Sequence, residues 1–193
     1  MSEPWYQTAA AEERLTQGDL IFECPVVGWR DGAVKLEGTE EGEILKGVAD
    51  AFKADVVVMT QACDLAHEKV ANVILCPHLA LEDYRAVWEA EMKRVGQNPN
   101  SKAWKKICDD IRDGFVWNLS ILNHYDGEGV SISHRVVDFH NVYSVPRAFL
   151  ESLLLQRATP RFRLLPPYRE HLSQAFARFF MRVGLPVPVT EAW

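Results

Sequence analysis

The sequence predicts an α+β protein: a small, strongly bent antiparallel barrel, a helical hairpin inserted between its strands, and a C-terminal helix that closes the core. Three observations carry that expectation. Two apolar runs, Val56-Val57-Val58-Met59 and Val73-Ile74-Leu75-Cys76, have the length of buried strands and stop abruptly at polar groups. Residues 81–113 switch to a helical period, with Tyr84, Val87, Trp88 and Met92, then Ala103, Trp104, Ile107, Cys108 and Ile111, spaced by three and four. Residues 168–183 repeat that spacing after Pro166-Pro167 and stop at Gly184 and Pro186.

Taken in order, the first residues read as a short helix or loose arm. Residues 18–25 form a strand opened by Gly18-Asp19 and closed by Pro25. Residues 28–47 are polar and Gly-rich and predict a long loop with a short strand near residues 33–36. The two apolar runs follow, joined by residues 64–69, which are enough for a turn or one helical turn. The breaker Gly96-Gln97-Asn98-Pro99-Asn100 divides the helical hairpin. Strands resume at residues 115–122, 130–132 and 135–143, with a turn at Asp126-Gly127-Glu128-Gly129. Val145-Pro146-Arg147 opens a short helix through Leu155, with Pro at a first-turn position. In the last helix Tyr168, Leu172, Ala175, Phe176, Phe179 and Val183 share one face, which predicts burial, with His171, Arg178 and Arg182 on its flank.

At 193 residues, 48% hydrophobic and 25% charged, the chain suits one soluble globular domain. The expected layout is a barrel core at about 17–80 and 115–145, a helical insertion at about 81–113 and a helical part at about 146–186. No run approaches the roughly 18 apolar residues a membrane helix needs, and no signal segment is visible, so a cytoplasmic location is expected. Cys24, Cys63, Cys76 and Cys108 have wide, irregular spacing, without a C-x-x-C pair, and read as free thiols. The net charge of −6 is segregated: residues 145–193 hold seven Arg and three Glu. That asymmetry permits an anion-binding patch.

Thr60, Gln61, Cys63 and Asp64 end one apolar run and His78 ends the other, so the two strands are expected to deliver a hydroxyl, a thiol, a carboxylate and an imidazole to one mouth. Three chemistries use these types. His78 or His67 suits acid–base work on RNA, with Lys53, Arg178 or Arg182 stabilising the phosphate. Cys63 with Asp64 and His67 supplies the groups of a thiol nucleophile. Cys24, Cys63, Cys76 and His78 are soft or borderline metal ligands, yet packing as small apolar groups is the expected role of those thiols. Arg157, Arg161 and Arg163, with Phe162 interleaved, suit single-stranded nucleic acid or internal pairing.

The order of elements over residues 17–79 resembles the MazF/PemK-like family of toxin endoribonucleases. The likeness rests on the Gly18-Asp19 opening, the strand ending at Thr60-Gln61, and Val73-Ile74-Leu75-Cys76-Pro77. It implies an SH3-like barrel and a metal-independent endoribonuclease. Where the family carries an Arg-Pro pair this chain has Lys53-Ala54-Asp55, and where the family has a Thr after the third-strand Pro it has His78-Leu79-Ala80. The expected catalytic set is therefore Lys53, Thr60, Cys63, Asp64 and His78. The expected nucleic-acid contacts are Arg161, Arg163, His171, Arg178 and Arg182. No metal and no cofactor is expected. RNA is the expected ligand, whether cleaved or only bound. The alternative is a non-enzymatic module gripping a small ligand or a protein partner of antitoxin type, encoded by an operon neighbour.

Overall fold

The computed structural model describes residues 4–29, 48–127 and 130–181. The loop expected at 28–47, its strand near 33–36, Arg182, Val183 and the helix stop at Gly184 therefore fall wholly or mostly outside the described residues. The strands are β1 (Tyr6–Ala9), β2 (Leu20–Trp29), β3 (Ala49–Val58), β4 (Asn72–Ala80), β5 (Leu119–Leu122), β6 (Tyr125–Gly127), β7 (Val130–Ile132), β8 (Arg135–Asp138), β9 (Tyr143–Pro146) and β10 (Arg161–Leu164). The helices are α1 (Ala62–Ala66), α2 (Leu81–Arg94), α3 (Ser101–Arg112), α4 (Arg147–Arg157) and α5 (Tyr168–Phe180).

The expected α+β character holds, with every strand pair antiparallel. The main sheet runs β2-β3-β4-β8-β5, and β9 also pairs with β4. Its ends, β2 and β5, do not pair among the described residues, so the sheet is open there rather than a closed barrel. β4 changes partner along its length: residues 72–75 pair with β9 and residues 78–80 with β8. The strand expected over 135–143 is accordingly interrupted after Asp138, where the carboxylate accepts from the His140 N–H and from Asn141 Nδ2 and turns the chain. β2 outruns the expected stop at Pro25. Among the described residues it pairs only with β3, and an edge strand is where a sheet tolerates proline.

The apolar run at 56–58 is buried on both faces, which is why it lacks polar alternation. Val57 faces Leu20, Cys76, Val137 and Phe139, a layer covered by Leu172 of α5. Val56 and Val58 face Ile21, Cys24, Val73 and Leu75, a layer covered by Leu150 and Leu154 of α4. Of the predicted face of α5, Leu172 is buried and Tyr168, Ala175, Phe176 and Phe179 pack half-buried on the first layer, while Val183 lies outside the described residues. The predicted helical hairpin is also present. Asn100 caps α3 by accepting from the Ala103 N–H at 2.9 Å, and Ile111 and Ile107 pack against Leu119 and Val136.

The N-terminal arm is a strand, not a helix. β1 pairs with β10 in register from Tyr6↔Leu164 to Ala9↔Arg161. This ribbon joins the main sheet through the Asp19↔Arg163 bridge and the Leu164 N–H donated to the Gly18 carbonyl. Gly18 has φ +84°, and a Cβ there would lie 3.0 Å from Leu164 Cβ, so the junction requires glycine.

Candidate functional site

The residues expected to meet at one mouth are spread along the β3–β4 pair. The strands are antiparallel, with Val56 opposite Pro77 and Val58 opposite Leu75, so their C-terminal ends lie at opposite ends of the pair. Asp55 and Thr60 are five residues apart on one strand, roughly 16 Å of extended chain, and His78 sits at the Asp55 end. Thr60 is buried and accepts the Ile74 N–H at 2.7 Å, a structural role. Cys63 is exposed in the first turn of α1, with its Sγ 3.7 Å from Gln61 Oε1 and 3.8 Å from Asp64 Oδ1. Lys53 is exposed and pairs with Glu23 at 3.4 Å. Lys53 and His78 do border one shallow hollow of about 440 Å³, shared with Pro77 and Tyr143.

His78 is sealed, only 1% exposed. Its Nδ1 accepts from Arg135 Nε at 2.9 Å, so the proton of the neutral ring resides on Nε2. Arg135 in turn donates to Asp55 Oδ2 at 2.6 Å, and Asp55 Oδ1 accepts the Glu23 N–H at the β2 irregularity, where Glu23 has φ 47°. Burial, then the Arg135 charge, depress the His78 pKa from 6.5 to about 3. The Val56 main chain favours the charged ring, yet Nε2 makes no hydrogen bond of acceptable geometry. A ring so held is neutral at physiological pH and unsuited to proton exchange.

The proposed metal-ligand thiols are also dispersed. Cys24 packs in one core layer and Cys76 in the other, their pKa values pushed up by burial to about 11 and about 12. Among the described residues no three His, Cys, Asp or Glu side chains converge on a common point.

Two of the expected nucleic-acid contacts are consumed by the fold. Asp19, fully buried, accepts from Arg161 Nε at 2.7 Å and from Arg163 Nε at 2.5 Å. Arg161 also donates to the carbonyls of Ala10, Glu13 and Arg14, and Arg163 to that of Arg14 and to Glu13 Oε2. These guanidiniums carry the charge that the Asp19 carboxylate needs in the interior. The Gly-Asp pair is thus the socket for the C-terminal strand. Arg157 likewise donates to the Phe22 and Glu23 carbonyls at 2.6 Å.

His171 and Arg178 are brought together, and in a different place from the strand ends. They line a groove of about 540 Å³ between α5, the end of α3 and β5. At one end Trp5 stacks on Tyr168 with ring centroids 4.0 Å apart and planes 13° from parallel. At the other, the Arg178 guanidinium lies 5.4 Å from the Trp117 ring centroid and donates to the Gly114 carbonyl at 3.2 Å. Trp117 also borders a second hollow, of about 510 Å³, with Phe115, Asn118, His140 and Phe179. Arg112 joins the first groove, its charge offset by Asp109 and Asp113 at 2.8 and 2.9 Å. Arg178 has no carboxylate partner among the described residues.

Of the residues expected on the α5 flank, His171 and Arg178 share this groove; of the aromatics that complete it, Tyr168 is expected on the buried face of the helix, and Trp5 and Trp117 carry no expectation. Trp5 precedes β1 and Trp117 precedes β5, and neither lies on a periodic face, so no spacing marks them out. The only sequence signal is the excess of Trp, six in 193 residues. No protein-family model matches the chain, and no curated protein is similar enough to count as a match.

Proposed function

We propose that this protein binds single-stranded nucleic acid, with RNA the expected form, in the groove between α3, β5 and α5. The observation that carries the reading is the alignment of two aromatic platforms, Trp5–Tyr168 and Trp117, along one groove with an arginine stacked on the second. Bases stack on aromatic faces whatever their identity, and the Arg178 guanidinium, without a carboxylate partner among the described residues, supplies a phosphate contact. The hollow beyond Trp117 extends the track to His140 and Phe179. Both volumes fall in the usual range for ligand clefts.

The family likeness bears on the same reading. A bulged β2 paired with β3, and β3 with β4, is the strand succession an SH3-like barrel would use, and it supports toxin-like ancestry for this part of the chain. The expected cleavage residues lie apart and His78 is sealed, so the proposal is binding, with the endoribonuclease chemistry of that family set aside.

Titration of a short fluorescein-labelled single-stranded RNA, read by anisotropy, tests this. Binding should weaken steeply between low and moderate salt. Trp117→Ala should cost about 1–3 kcal/mol, roughly 5- to 150-fold in Kd. Absence of binding at low salt, or binding that ignores both Trp117→Ala and Arg178→Ala, refutes the proposal.

A protein-docking reading has its own observation. Val27 and Trp29, two positions apart and therefore on one face, project from β2, 68% and 73% exposed, on a strand that pairs only with β3 among the described residues. Apolar side chains on a sheet edge suit strand addition by a partner chain. A stable complex that is lost on Trp29→Ser, in a protein that does not bind RNA, would favour this reading.

A further inference from the structure

The β6–β7 ribbon packs on the first core layer through Tyr125 and Ile132, and three donor side chains lie where the chain enters and leaves it. Asn123 and His124 follow β5 directly, and His134 precedes β8. The main chain on both sides is fixed: the buried Tyr6 hydroxyl donates to the Asn123 carbonyl at 2.7 Å, and the Leu81 N–H donates to the His134 carbonyl at 2.8 Å. His124 Nδ1 lies 3.4 Å from His134 Nε2 and 3.1 Å from Asn123 Oδ1. The two rings are 4.8 Å apart between centroids and tilted by 48°, so they are not stacked face to face.

Two imidazole nitrogens on one tetrahedral ion, each about 2.05 Å from it, stand about 3.4 Å apart. The observed separation equals that value and is longer than an ordinary nitrogen-donor hydrogen bond. The amide oxygen of Asn123 lies at a comparable distance from the first of them. We propose that Asn123, His124 and His134 form a surface site for a borderline divalent transition ion of the zinc, nickel or copper class, with water completing the coordination. Neutral imidazole suits these ions. The site lies outside the set of grooves and hollows assigned above and does not depend on the nucleic-acid reading. An ion there would clamp the end of β5 to the start of β8 across the base of the ribbon.

The test is calorimetric titration of the metal-stripped full chain with Zn²⁺ and with Ni²⁺, on a Cys63→Ser background so that the exposed thiol does not compete. One saturable site is expected, weakened at least tenfold by His134→Ala and by His124→Ala and several-fold by Asn123→Ala. His171→Ala, a histidine elsewhere on the surface, should leave it unchanged. Circular dichroism of each variant establishes that it is folded, and ¹H–¹⁵N spectra should place the largest shifts at residues 123–125 and 133–135. No saturable binding, or binding indifferent to the His124 and His134 substitutions, overturns the proposal and leaves the pair as two hydrogen-bonded rings.

Discussion

Protonating His78 means placing an imidazolium against the Arg135 guanidinium where water is excluded, so mild acid will destabilise the fold through this one ring. The unfolded chain binds the proton with a pKa near 6.5, whereas the folded chain holds it off to about 3. Below the unfolded value the unfolded state carries more protons, so the stability His78 contributes is present above about pH 6.5 and drains away as pH falls towards 3. The whole shift corresponds to about 5 kcal/mol, and about half of it is lost between about pH 7 and pH 4.5. Urea unfolding at these two pH values isolates the effect when the wild type is compared with His78→Gln. Glutamine keeps an acceptor for Arg135 Nε and does not titrate, while Asp55 and the remaining carboxylates are common to both proteins. The gap between the two should change by about 2–3 kcal/mol in favour of the variant on acidification. A gap independent of pH, or an imidazole resonance of His78 titrating near 6, would refute the account and restore His78 as a candidate acid–base group.

Asp19→Ala leaves Arg161 with a buried, unpaired charge and should cost about 3–5 kcal/mol by urea denaturation. A loss under about 1 kcal/mol would mean that the two arginines find other partners readily. Among the thiols, Cys63 should react with a disulfide reagent at once, whereas Cys24 and Cys76, buried and with raised pKa values, should wait for unfolding. Equal rates for Cys63 and Cys76 in the folded protein would contradict the packing. In RNA titrations over a salt series, Arg178→Ala should reduce the slope of log K against log salt by about 0.7, the loss of one phosphate contact on a single strand. An unchanged slope would remove Arg178 from the interface.

Much of the scaffold is legible in the order of residues, and most of the site is not. The 3.6-residue period of α5 and of the α2–α3 hairpin marks the buried faces directly, because a helix buries a stripe set by its own geometry. Uninterrupted Val56-Val57-Val58 announces a strand covered on both sides. Strand direction, by contrast, is a property of pairing. Cys63 and His78 each follow an apolar run, but β3 and β4 run antiparallel, and that alone separates them. The same limit hid the fate of the C-terminal arginines. Arg161 and Arg163 look like a basic patch until β10 lies beside β1 and turns them on Asp19, a partner more than 140 positions earlier. The groove escaped for the converse reason. Trp5, Trp117 and Arg178 come from three remote stretches, and only packing makes them neighbours.

The pairing of β1 with β10 also governs when this protein can finish folding. Arg161 grips the Ala10 carbonyl across 151 positions of chain, so β1 leaves the ribosome long before its partner β10 does. The β2–β3–β4 sheet can assemble much earlier, and meanwhile the N-terminal segment must wait with its hydrogen-bonding groups in water and Asp19 still hydrated. Closure of that seam is an event of high sequence separation, and it makes the buried carboxylate a lock that engages only once residues 161–163 have been made.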